Sequence, residues 1–126
     1  MQITIHTDSD RPIYRQVADE IKVLIVGGTL AAGTVLPTVR QLAADLGVNM
    51  NTVATAYREL QNDGLIAIRH GSGAVVTSQR TAVPNQRDVR RALRGALTEM
   101  LLAGMRRADI LRAVTDELHA LTREKS

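Results

Sequence analysis

Residues 36–64, LPTVRQLAADLGVNMNTVATAYRELQNDG, constrain the fold more than any other stretch, because they read as two short helices joined by a tight turn. Pro37 keeps the chain extended on entry, and the Thr38 hydroxyl can satisfy an orphan amide as an N-cap. From Val39 onward, Leu42, Ala43 and Leu46 fall on one helical stripe, and Gly47 follows at once, the residue best able to end a helix in the left-handed conformation. A second helix must therefore start almost immediately. Asn49 suits its N-cap, while Val53, Ala56, Tyr57 and Leu60 make a second stripe that Gly64 closes. Two short amphipathic helices around a Gly-containing turn of about three or four residues meet the description of a helix-turn-helix.

The spacing also fixes what faces away from that core. With Val53, Ala56, Tyr57 and Leu60 turned inward, Met50, Asn51, Thr55 and Arg58 point outward, and Asn51 and Thr52 lie in the first turn. In a helix-turn-helix the start of the second helix enters the major groove of DNA. There Asn51 can pair with a base edge or a phosphate, Thr52 and Thr55 can bond to either or touch a thymine methyl, and Met50 can offer an apolar contact. Arg40, in the first turn of the preceding helix, would lie beside the same groove. Taken alone, the pattern fits a solvated αα-hairpin equally well.

Two short β-prone runs follow, residues 65–69 (LIAIR) and 74–77 (AVVT), with His70, Gly71, Ser72 and Gly73 as a glycine-rich tip between them. A helix-turn-helix followed by a two-stranded hairpin is a winged helix. Across residues 36–76 the chain closely resembles the DNA-binding domain of the GntR family of bacterial transcription regulators. That family's pattern is roughly LPS-x-R-x-LA-x-x-LGVS-R-x-TV, a helix ending in L-x-x-x-G, and a wing ending in G-x-G-x-x-V. The resemblance implies DNA contact by Thr38, Arg40, Asn49, Met50, Asn51, Thr52, Thr55, Arg58 and the wing-tip residues His70, Gly71 and Ser72. Arg40 matches the arginine after the LPS motif, and Asn51-Thr52 keep the NTV run common in the YtrA-type branch. Asn49 and Met50 stand where Ser or Thr and Arg are common, and Ala54 where some branches carry a base-contacting arginine.

Before residue 36, Ile3 and Ile5 alternate as in a short edge strand, and Pro12 suits the first position of a helix carrying Ile13, Val17, Ile21, Leu24 and Ile25 until Gly27-Gly28. This strand, helix and Gly33 before the Leu-Pro pair resemble the small YtrA-type branch in particular. Tyr14 and Tyr57 are the only aromatics and read as core or core-edge residues. With no cysteine there is neither a disulfide nor a thiolate metal site, and the three scattered histidines have no ligand spacing. No cofactor and no metal are expected. No stretch resembles a signal peptide or a membrane span, so a cytoplasmic protein that does not engage membranes is the default reading.

Charge placement says more than the total. Residues 1–80 carry seven basic and seven acidic side chains, so the formal excess of +3 arises entirely from residues 81–126. Arg40, Arg58 and Arg69 nevertheless fall on or near the expected contact surface, and binding depends on local phosphate neutralisation.

Residues 1–78 thus form a winged helix-turn-helix domain, mainly α with a small β-hairpin wing, and residues 79–87, containing Pro84, read as a linker. In 88–126, Val89, Leu93, Leu97, Met100 and Leu101 make one helical stripe ending near Gly104, and Ile110, Val114, Leu118 and Leu121 make another. Two such helices have no sizeable core of their own, so their stripes either fold back on the winged domain or pair with those of a second chain. Self-association is the preferred reading, because the winged domain closes its own core. The resemblance implies a homodimeric repressor on an inverted-repeat operator in double-stranded DNA. Fewer than fifty residues remain for an effector-binding or aminotransferase-like domain, and the sequence names no small-molecule effector. A winged-helix protein-interaction module without DNA binding is the alternative. The chain offers no nucleophile-base pair, phosphate-binding loop or paired carboxylates to support an enzyme.

Overall fold

The computed structural model describes residues 1–69, 73–77 and 85–122, which form two compact units, Met1–Ala82 and Val83–Ser126. In the first, α1 (Ile13–Val26) and β1 (Val35–Leu36) precede the helix pair α2 (Val39–Leu46) and α3 (Met50–Asn62), and β2 (Ile66–Arg69) and β3 (Gly73–Val76) follow. The second contains α4 (Gln86–Leu102) and α5 (Arg107–Thr122). Helix α4 thus begins inside the 79–87 segment that the sequence reads as linker, capped by Asn85, whose Oδ1 accepts from the Arg87 amide at 2.8 Å. No helix among the described residues is long and apolar enough to cross a membrane.

The core of the first unit is where the helical periods place it. Val17, Ala18 and Ile21 of α1, Leu42 and Ala43 of α2, and Val53, Ala56, Tyr57 and Leu60 of α3 are buried together, with Ile66, Ala74 and Val76 of the sheet beneath them. Helices α1 and α3 are also joined at their edges by Arg15–Glu59 and Lys22–Asp63, both 3.4 Å. Pro12 sits one position earlier than expected, as the N-cap of α1, where its carbonyl accepts from the amides of Arg15 and Gln16.

The wing has three strands, in the order β1-β3-β2 with both pairings antiparallel. Val35 and Leu36 sit opposite Val75 and Ala74, so the chain entering the helix-turn-helix is bound to the last strand of the wing. The expected strand around Ile3 and Ile5 does not form. Both isoleucines pack against the core, but the His6 backbone is held by a side chain rather than by a neighbouring strand. The His6 amide donates to Gln16 Oε1 at 2.8 Å, and Gln16 Nε2 donates to the carbonyls of His6 and Arg11, each at 3.0 Å. These bonds satisfy the buried Gln16 amide and tie the chain to α1 at His6, where the expected strand would end.

In the second unit, Ile110 is the only buried side chain among the described residues. Val89, Leu93, Leu101, Leu111, Val114 and Leu118 stand exposed, Leu118 at 56%, while Leu97, Met100 and Leu121 are half-buried. Leu97, Leu101, Ile110 and Leu111 with Arg107 border a groove of about 270 Å³ between α4 and α5.

Candidate nucleic-acid interface

The entry to α2 is a reciprocal cap. The Gln41 amide donates to Thr38 Oγ1 at 3.1 Å, and the Thr38 amide donates to Gln41 Oε1 at 2.9 Å, a capping box that satisfies two orphan donors at once. Thr38 therefore has a structural task as well as an exposed position. Gln41 is the functional partner that the helical periods alone do not single out, although the Thr-x-x-Gln spacing carries its signal. Beside it, Arg40 is exposed in the first turn.

The turn between the helices depends on Gly47, whose φ of 69° is left-handed and whose amide bonds back to the Ala43 carbonyl. Asn49 then caps α3, its Oδ1 accepting from the Asn51 amide at 2.7 Å. A bond across the motif fixes one helix against the other: the buried Tyr57 hydroxyl donates to the Pro37 carbonyl at 2.6 Å. Burial pushes the Tyr57 phenol up to about 12, because an ionised phenolate would be desolvated there.

On α3, Met50, Asn51 and Arg58 are exposed as their spacing requires. Thr52 and Thr55 are half-buried, and the Thr55 hydroxyl donates to the Asn51 carbonyl at 2.8 Å, which leaves its methyl and its remaining lone pairs for any outside partner. Glu59 of α3 and Asp63, its C-cap, are both engaged by α1 cations, Glu59 standing one turn beyond Thr55 at the edge of the outward face. The Asn51–Thr55–Arg58 face is thus bordered by one carboxylate, Glu59, whose charge is matched by Arg15. Arg69, exposed at the end of β2, pairs in register with Gly73. Gly73 adopts a φ of +79°, strained for any side chain, and a Cβ there would sit 3.6 Å from the Leu36 carbonyl. His70, Gly71 and Ser72 lie outside the described residues.

The structure therefore brings Thr38, Arg40, Asn49, Met50, Asn51, Thr55 and Arg58 into one helix pair, with Thr52 turned partly toward the core. Among the described residues no cluster of His, Cys, Asp and Glu could hold a metal ion.

A helix-turn-helix with a wing of three strands defines a winged-helix DNA-binding protein. Residues 13–76 match the model of the bacterial regulatory proteins of the gntR family, and the chain belongs to that family, within its YtrA-type branch. It is 32% identical over 108 residues to the HTH-type transcriptional regulator YhcF of Bacillus subtilis, covering 84% of this chain and 89% of that one. It is 39% identical over 75 residues to the HTH-type transcriptional repressor YtrA of the same organism, covering 60% of this chain and 58% of YtrA. Among solved structures, a transcriptional antiterminator from Listeria monocytogenes superposes with a TM-score of 0.87 at 27% identity, covering 96% of this chain and 92% of that one. YtrA from Sulfolobus acidocaldarius gives 0.63 at 38% identity, over 76% of this chain and 97% of its own. The AraR DNA-binding domain, solved in complex with operator ORX1, gives 0.56 at 26% identity, over 61% of this chain and 99% of its own. The protein is a GntR-family transcription regulator.

Proposed function

We propose that this regulator is a homodimeric repressor that acts in the cytoplasm, binds an inverted-repeat operator and places one α3 helix in the major groove of each half-site. The observation that carries the reading is the exposed polar start of α3 at Asn51, with Arg58 on the same side and Glu59, the one carboxylate of α3, already paired with Arg15, since a groove walled by phosphates rejects a helix face bearing unpaired carboxylates. Asn51 reads base edges from the first turn, with Thr55 and Met50 offering methyl contacts. Arg40 and Arg58 neutralise phosphates, joined by the wing residues His70, Gly71 and Ser72. Thr38 and Asn49 set the two helix starts whose amides face the backbone, and Thr52 contributes a polar edge there. The exposed stripes of α4 and α5 meet those of a second chain. Repression follows from occupancy of promoter DNA, by analogy with the repressor YtrA.

The test is a mobility-shift titration on the DNA upstream of its own coding region. Arg40→Ala should weaken binding by roughly 1–3 kcal/mol with the fold intact, and Asn51→Ala should lower specific binding more than binding to random DNA. A wild-type chain that shifts no DNA even at low salt would instead favour a protein-interaction module.

A further inference from the structure

One strongly charged surface is not used by the reading above. Arg87, Arg90, Arg91 and Arg94 recur at i, i+3, i+4 and i+7 along the first half of α4, and their side chains together line a depression of about 300 Å³. Among the described residues none of the four guanidinium groups enters an ion pair. Asp88 is the one acid of that half-helix. At 100° per residue the arginines centre roughly 110° round the helix from Val89, Leu93 and Leu97, with Arg90 and Arg94 at the edge of the apolar stripe and Arg87 and Arg91 clear of it.

The arrangement is unfavourable to the helix itself. Like charges at i, i+3 and i, i+4 repel, and cations in the first turns oppose the helix dipole. An anion outside the helix would offset both costs beyond what Asp88 in the first turn supplies. The distribution of charge points to the same partner: residues 1–80 are formally neutral, so the groove-facing unit lacks the net positive charge that draws proteins to DNA, and the excess lies in the segment carrying α4. Only eight chain steps run from Thr77 to Asn85, so the arginines stay covalently tethered to the unit that engages DNA and share its raised local concentration of duplex.

We infer that the Arg87–Arg90–Arg91–Arg94 face of α4 is a second phosphate-binding surface for double-stranded DNA, acting on duplex beside the operator and supplying much of the sequence-independent affinity. The inference rests on the DNA-binding reading above. Arginine at every position fits phosphate as a forked donor, but the long-range part of the effect needs only the charge.

The experiment compares the full-length chain with two variants, one carrying Arg→Ala and the other Arg→Lys at all four positions. Each is titrated by fluorescence anisotropy against a random-sequence duplex of about 40 bp between about 50 and 200 mM KCl. A duplex enriched by the wild-type chain from a random pool is titrated in parallel. The alanine variant should keep its helix, since alanine is the better helix former. Its affinity for the random duplex should fall at least about tenfold at the lowest salt, and its log–log salt slope should shrink by about 0.9 for each phosphate that is no longer neutralised. The lysine variant should retain most of the slope. An alanine variant with the wild-type slope and affinity overturns the inference while enrichment by the wild-type chain upholds the regulator. An alanine variant that keeps its slope but sediments as a monomer also overturns it, because the arginines would then serve a second copy. A wild-type chain that enriches no sequence removes the operator-reading proposal, and the random-duplex slopes still decide the arginine face.

Discussion

The two units of this chain solve the burial problem in opposite ways. In Met1–Ala82, three helices and a three-stranded sheet cover one another so completely that Val17, Ile21, Val53 and Leu60 are wholly removed from solvent. In Val83–Ser126, two amphipathic helices bury only Ile110 among the described residues. A third layer makes the difference. In the first unit α1 and α2 both pack on α3, which also meets β2, whereas within the second unit α4 and α5 border a single groove, and a helix pair is below the size at which a core becomes self-sufficient. An apolar stripe left in water over several turns is a surface waiting for company, and a second copy brings a matching stripe by symmetry.

The sharpest way to break this contrast is to separate the units. A chain ending at Ala82 should fold, melt cooperatively and sediment as a monomer, with operator affinity reduced on the order of 10²–10⁴ because the second half-site is no longer tethered to the first. Leu118→Asp in the full chain should reproduce the loss by burying an unpaired charge where the two copies meet. A truncated chain that remains a dimer in sedimentation would move the interface into the winged unit.

Matched deletions sharpen it further. Leu60→Ala removes a fully buried side chain and should lower unfolding stability by about 2–5 kcal/mol, read from denaturant melts of the monomeric fragment. Leu118→Ala removes an exposed one. It should leave the stability of the protomer nearly unchanged while weakening self-association at low concentration, and equal effects of the two changes on the protomer would erase the distinction between the units.

A smaller effect isolates a polar tie inside the first unit. Tyr57→Phe leaves the Pro37 carbonyl without its donor and should cost about 1–3 kcal/mol. The phenol also makes stability depend on pH in alkali. Its folded pKa is about 12 against an ordinary value of 10.0, so unfolding releases a proton once the pH passes 10. Stability is whole below pH 10, falls as pH rises toward 12, and levels off beyond. The Phe variant should lack this alkaline limb in thermal melts followed across that range.

The helices are legible in the sequence because their periods are long and uninterrupted. Val53, Ala56, Tyr57 and Leu60 recur at one angle, and the same recurrence brings Met50, Asn51 and Arg58 outward without reference to the rest of the fold. Elements whose existence depends on a distant partner are not legible. Two residues, Val35 and Leu36, carry no strand signal and become β1 only because β3 lies alongside. Conversely, the alternation at Ile3 and Ile5 has the pattern of a strand, but both side chains pack on the core with no strand alongside, and Gln16 holds the backbone at His6. At the interface, the first-turn position of Thr52 suggests an outward side chain, but it lies about 100° round from Asn51 and so turns partly inward. The Thr38–Gln41 box is readable directly from its spacing.

The pairing of β1 with β3 also sets an order of events during synthesis. Val35 waits for Val75, forty residues later, before the sheet can close, so neither the entry to α2 nor the wing is secured until residue 76 has left the ribosome. Helices α4 and α5 emerge only after that. In the proposed dimer, each nascent chain would therefore have a finished winged unit before it could recognise a sister chain, and neighbouring chains on one message would meet through their last-made helices, when folded domains already hold the rest of the sequence out of reach of mispairing.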